Sequence, residues 1–147
     1  MNPKIEANRQ LAHEIIKRWS IDIGGDVEPY FELFHDDATF TTMAQKGMLP
    51  ILAGTLDKQG FRDWVYKETR VSATKLKIEG ITADEDRLAL EASSDMVCNG
   101  HSYKNSYHWL FEIRDGKISA ARYYLDTLFA KQAMEWMQEA EDAAGKS

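Results

Sequence analysis

Apolar side chains recur at helical spacing near the start of the chain. Leu11, Ile15 and Trp19, with Ala12 and Ile16 beside them, predict an amphipathic helix over about residues 4–20. Gly24-Gly25 closes it. Asp26 stands where an N-cap would, Pro29 falls in the tolerant first turn, and Tyr30, Phe31, Leu33 and Phe34 form the buried side of a second helical segment. The acidic turn Asp36-Asp37 leads to a strand over about 38–43. Residues 44–57 mix Gly47, Pro50 and Gly54 with Met48, Leu49, Ile51 and Leu52, the composition of a loop that closes over something. Asp57 caps a third helix over about 58–71, with Phe61, Trp64 and Val65 on its buried side.

From residue 74 the period changes to two. Leu76 and Ile78 share a face of one strand, and Leu88, Leu90, Ala92, Ser94 and Met96 share a face of the next. Asn99-Gly100 and Asp115-Gly116 are hairpin turns bounding a long strand. A further strand and a last helix, about 128–143 with Phe129, Ala133, Met134, Trp136 and Met137 as its apolar positions, complete the chain. Helices followed by antiparallel strands predict an α+β domain over residues 1–147. Its expected form is a cone: a strongly curved, mostly antiparallel sheet of four to six strands, with three to four helices packed on the concave side and a ligand cavity between.

The strand from His101 carries Tyr103, Asn105, Tyr107, Trp109, Phe111 and Ile113 on one face. That face begins polar and aromatic and ends apolar, as a pocket wall would. Polar-tipped groups on an inner face need partners, supplied either by a ligand or by neighbouring strands. Tyr30 either adds a phenol to the same pocket or packs in the core. Asp126 depends on register. A two-residue Asp115-Gly116 loop sets it opposite Asn105, on the cavity face. A three-residue loop with a glycine bulge turns Tyr123 and Leu125 inward and Asp126 outward, where it can cap the last helix.

Composition narrows the classes. Hydrophobic residues at 44% and charged residues at 29% fit a globular chain, and a net charge of −6 without a basic stripe argues against nucleic acid. One cysteine, Cys98, fits a reducing, cytoplasmic setting, and no segment has the length or apolarity of a signal peptide or membrane span. His13 and His35 have no second ligand at metal spacing, so no metal is expected. No organic cofactor motif is present.

Phe34-x-Asp36-Asp37-Ala38-Thr39, Gly100-x-x-Tyr103-x-Asn105-x-Tyr107, Phe111, Asp115-Gly116-Lys117-Ile118 and Tyr124-Leu125-Asp126-Thr127 together resemble the SnoaL-like branch of the nuclear transport factor 2-like superfamily. The resemblance implies the cone fold, a homodimer through the outer sheet face, and Thr42 and Ser94 in the cavity wall. Relatives include ketosteroid isomerases, polyketide cyclases, epoxide hydrolases, dehydratases and association domains. Their acid–base groups do not carry over. The isomerases' general-base Asp matches Thr42, their oxyanion Tyr falls near Arg18 or Trp19, and their protonated Asp near Trp109. The hydrolases' water-activating Asp falls on Tyr123, their Arg and second Asp around Leu90 and Ala92, and the cyclases' Asp also at Tyr123. The implied function is a cofactor-independent isomerase, cyclase or dehydratase acting on an apolar cyclic or polyketide-like molecule, with a tyrosine-rich pocket. Tyr107, Tyr123 and Asp126 are its catalytic candidates, with His101 a second candidate base. Tyr30, Thr42, Ser94, Tyr103, Asn105 and Trp109 are its ligand-binding candidates. A non-catalytic binding or association domain is the alternative; an enzyme requires a carboxylate or imidazole at the pocket floor with a perturbed pKa.

Overall fold

The computed structural model describes residues 2–145; residues 1, 146 and 147 of the expected domain lie outside the described residues. Helix α1 spans Pro3–Trp19. Asn2 begins it, its Oδ1 accepting from the amides of Lys4 and Ile5, and Pro3 stands where a missing N–H costs nothing. Asn8 breaks the apolar pattern of the buried face. Its Nδ2 donates to the carbonyls of Asp84 and Glu85, tying α1 to a distant turn.

The second helix, α2, is a single turn, Glu28–Phe31, with Val27 at the cap position. Asp26 sits one residue too early to be the cap, though its Oδ1 accepts from the Glu28 amide at 3.0 Å. Strand β1 runs over Phe34–Thr42 and so begins four residues before the expected start. Asp36 and Asp37 do not turn the chain; they lie in the strand, within an irregular stretch of its pairing. Salt bridges to Lys58 and Arg114 compensate their charge there.

The apolar loop is shorter than its composition suggested, because Gly54–Asp57 pairs antiparallel with β1 as strand β2. Within the remaining loop, Leu49, Leu52 and Ala53 are buried and Ile51 is exposed. Helix α3, Lys58–Thr69, is capped by Asp57, whose Oδ1 accepts from the Gly60 amide at 2.7 Å. Strands β3 (Ser72–Ala73), β4 (Leu76–Ala83), β5 (Arg87–Cys98), β6 (His101–Arg114) and β7 (Lys117–Leu125) follow, then helix α4, Thr127–Gly145. Among the described residues, seven strands form one curled sheet in the order β2-β1-β7-β6-β5-β3, with β4 also on β5. Two short strands raise the number above the expected four to six. Among the described strands β1–β7 is the one parallel pair, and an isolated parallel bridge joins Thr42 to Ala53. The whole is a cone-shaped α+β fold.

Register at the last hairpin decides which β7 side chains reach the interior. Asn99 and Gly100, and again Asp115 and Gly116, have positive φ, the backbone of two-residue hairpin turns. Arg114 pairs with Lys117, so the loop is the two-residue form. A slip then follows: Ile113 pairs with Ile118 but Glu112 with Ala120, leaving Ser119 as a bulge. Trp109 therefore faces Tyr123 and Tyr107 faces Leu125. Tyr123 is turned inward by a bulge inside the strand rather than by a longer turn.

Inside, Phe31, Phe34, Phe40, Phe61 and Phe111 belong to one buried aromatic core. Phe61 of α3 lies between Phe40 and Tyr123, with ring centroids at 4.6 and 5.4 Å and near-parallel planes.

Candidate functional site

Beyond this aromatic core the cone stays open. A cavity of about 90 Å³ lies between the inner faces of β5–β7, α3 and α4. Trp19, at the end of α1, stacks on Trp109 at 5.4 Å and forms part of its wall instead of filling it. Trp64 of α3, with Met134 and Met137 of α4, divides it from an outer hollow of about 270 Å³ that the apolar loop also borders.

One group in this wall was absent from the sequence-derived candidates. Glu68 lies on α3 four residues from Trp64 and seven from Phe61, hence on the same face, and lines the cavity. It is only partly buried by area. Protein nonetheless surrounds the carboxyl densely enough to strip it of bulk water and push its pKa up to about 8. Among the described residues no donor or cation pairs with it. A neutral carboxylic acid at pH 7 therefore faces the cavity.

Near it are Tyr103, Tyr107 and Cys98, all influenced by the Glu68 charge. Burial, first, raises the two phenols, and it pushes the Cys98 thiol up to about 11, so Cys98 is no thiolate at neutral pH. The phenols belong to an ordered polar strip. Asn105 Nδ2 donates to the Tyr103 hydroxyl at 2.6 Å, and the Tyr107 hydroxyl lies 2.9 Å from Ser94 Oγ. That same oxygen accepts from the Asn105 amide at 3.1 Å.

Asn105 itself is turned to the fold. Its Nδ2 also donates to the Asp126 carbonyl, while its Oδ1 accepts from the amides of Ser106 and Asp126. Buried and not in the cavity wall, it joins β6 to the start of α4 and holds the Tyr103 hydroxyl. Asn105→Ala is expected to lower unfolding free energy by about 2–4 kcal/mol, because it orphans several partners at once. Urea denaturation monitored by tryptophan fluorescence measures this, and a change below about 0.5 kcal/mol would contradict it.

Of the other candidates, Thr42, Tyr103, Tyr107, Trp109 and Tyr123 border the cavity. Ser94 stands behind Tyr107 through its hydrogen bond. Tyr30 is in the core behind Tyr123, their hydroxyls 2.8 Å apart. Asp126 is elsewhere. It is exposed, and its Oδ1 accepts from the amides of Leu128 and Phe129 at the start of α4, the geometry of a cap rather than of a base facing the cavity. His101 stacks on Trp136 at 4.4 Å, exposed at the start of β6. The Glu68 signal was present in the sequence: a carboxylate continuing the apolar row Phe61-Trp64-Val65 by one turn.

Among the described residues no helix is long and apolar enough to cross a membrane. No curated protein matches the sequence. Among solved structures, PrhC from Penicillium brasilianum is similar with a TM-score of 0.79 at 18% identity, over 97% of this chain and 95% of that one. An LEH-like epoxide hydrolase from M. tuberculosis has a TM-score of 0.69 at 14% identity, over 97% and 99%. TerC, co-crystallized with polyporic acid, has 0.68 at 20% identity, over 91% and 99%. At such identities the likeness shows the fold and leaves the chemistry to the site. The family model of the SnoaL-like domain matches residues 16–121, well over half of the chain, and the chain belongs to that family.

Proposed function

We propose that this protein is a cofactor-independent acid–base enzyme in which Glu68 moves a proton on a small, neutral, largely apolar carbonyl compound, by dehydration or isomerisation. One observation carries the reading: a carboxyl without a protein partner faces an otherwise apolar and phenolic cavity. Burial keeps it neutral at pH 7, so it can donate. In a dehydration, Glu68 gives its proton to a departing hydroxyl, the C–O bond breaks and water leaves. The resulting carboxylate takes the proton from the adjacent carbon as the double bond forms, which restores the acid. Tyr103, on the same wall, accepts from Asn105 Nδ2 and so has its own proton free to donate to the substrate carbonyl. That an LEH-like epoxide hydrolase and a protein co-crystallized with polyporic acid share this fold supports a small-molecule cavity here.

The satisfied Tyr107–Ser94–Asn105 strip also suits a second reading, in which the cavity only binds such a molecule. A β-hydroxy ketone separates the two. With 4-hydroxy-4-(2-naphthyl)butan-2-one as probe, dehydration to the conjugated enone is expected as a rise in long-wavelength absorbance. The rate is expected to be flat below pH 8 and to fall about tenfold per pH unit above it. Probe that binds, by quenching of tryptophan emission, but is not turned over at any pH would leave the binding role.

A further inference from the structure

The cavity that Glu68 lines is small. At about 90 Å³ it is well below the roughly 300–1,000 Å³ in which ligands of drug size sit. The outer hollow, at about 270 Å³, falls just short of that range. Joined, the two enter it, and the partition between them is thin: Trp64, Met134 and Met137 border both. Trp64 is backed by Phe61, with ring centroids 6.1 Å apart. The other two are methionines, unbranched side chains with three rotatable bonds that change rotamer without a shift of backbone. Helix α4, which carries them, is held from another side. Asn99 Nδ2 donates to the Trp136 carbonyl at 3.1 Å, and His101 stacks on the Trp136 ring. Rotation of two side chains therefore opens one space into the other while α4 keeps its place.

The lining of the hollow decides what it takes. Met48, Pro50 and Ile51 of the loop extend its apolar wall. Its charged side chains are matched, Lys67 with Glu141 at 2.9 Å and Lys131 with Glu135 at 2.7 Å. Such a surface suits an apolar group, whereas a charged one would meet counter-ions already engaged. Adjacent residues of α3 face the two spaces, Glu68 the inner one and Lys67 the outer. Trp64, about one turn before Glu68, puts the passage beside the carboxyl. We infer that the outer hollow is the second half of the ligand site. A compact carbonyl head lies in the inner cavity, and an apolar tail of several carbons passes between Trp64 and the two methionines into the hollow. The ligand class is a long-tailed carbonyl compound whose reacting carbons lie near the passage.

This inference rests on the carbonyl reading proposed above but needs no turnover. Methionine methyl groups report on it. Met96 borders the inner cavity and not the hollow, Met48 the hollow and not the inner cavity, and exposed Met43 neither. The test is methyl NMR of the full chain titrated with butan-2-one and with undecan-2-one. Of these three methyls the short ketone is expected to move Met96 alone, and the long ketone Met96 and Met48 together. Undecan-2-one is expected to bind at least about a hundredfold more tightly, from the added methylenes. Ile51→Asp, at an exposed position, is expected to weaken undecan-2-one about three- to tenfold and leave butan-2-one within about twofold. A long ketone that moves Met96 but not Met48, or that is indifferent to Ile51→Asp, would overturn the tail site and leave the Glu68 reading standing. Movement of Met48 without Met96 would overturn it too, since the hollow would then bind by itself. Binding of neither ketone would overturn both readings.

Discussion

Replacing Glu68 by glutamine is expected to lower kcat for the naphthyl β-hydroxy ketone by about 10²–10⁴-fold, the range for loss of a general acid. The amide keeps the size of the side chain and a hydrogen-bond donor, so KM should move by no more than a few-fold. That split separates lost chemistry from lost binding. The pH profile adds a second criterion. The wild type should lose rate above pH 8 as the carboxyl ionises, and the residual activity of Glu68→Gln should lack that limb. Glu68→Asp keeps the carboxyl but withdraws it by one methylene, so it should retain the limb at reduced rate. A Glu68→Gln rate within threefold of wild type would remove Glu68 from the mechanism. Infrared difference spectra need no substrate: at pH 7 the wild type should show a protonated carboxyl band that the glutamine variant lacks.

Why Glu68 escaped the sequence while its neighbours did not is a matter of period and reference. The alternation along β6 is a local property, and Tyr103, Tyr107 and Trp109 came out on the cavity side as that alternation required. The positions that resemblance assigns to the relatives' acids hold Thr42, Trp109 and Tyr123 here. A single glutamate on a helix reads as solvated surface unless its phase is compared with Phe61, Trp64 and Val65, and even that phase does not say whether the apolar row ends in solvent or in a cavity. The packing of β5 and β6 against α3 decides it, through contacts distant in sequence. Asp126 and Asn105 show the converse. Both are polar residues near the pocket in sequence, yet one caps α4 and the other joins β6 to that cap, tasks set by the backbone groups they meet. The hairpin register was open for a related reason. Asp115-Gly116 specifies the turn, but the bulge at Ser119 carries no glycine to mark it, and it alone decides whether Tyr123 or Tyr124 points inward.

The same burial that keeps Glu68 protonated should leave a pH signature in stability. In the unfolded chain the carboxyl titrates near 4.5, and in the native state near 8. Between those values the unfolded chain has released a proton that the native state retains. The unfolded state binds fewer protons there, so this group makes stability fall as pH rises from about 4.5 to 8, with little further change above. The limiting slope is about 1.4 kcal/mol per pH unit. Relaxation of the carboxyl toward the open cavity should reduce the whole effect to a few kcal/mol. Glu68→Gln removes the titration. Its stability relative to wild type is therefore expected to increase from pH 5 to pH 8 and then level off, with a Tm advantage at pH 8.5 on the order of 5–10 °C. Thermal melts of both proteins at half-unit pH steps measure it, the difference between the curves cancelling the other carboxylates they share. Parallel curves would mean that the carboxyl is solvated in the native state and ionised at neutral pH, which would withdraw the acid from the proposed chemistry as well. A rising difference together with the loss of turnover would show a glutamate that weakens the fold in the pH range where it acts, and packing alone gives no reason to keep such a group on the apolar face of α3.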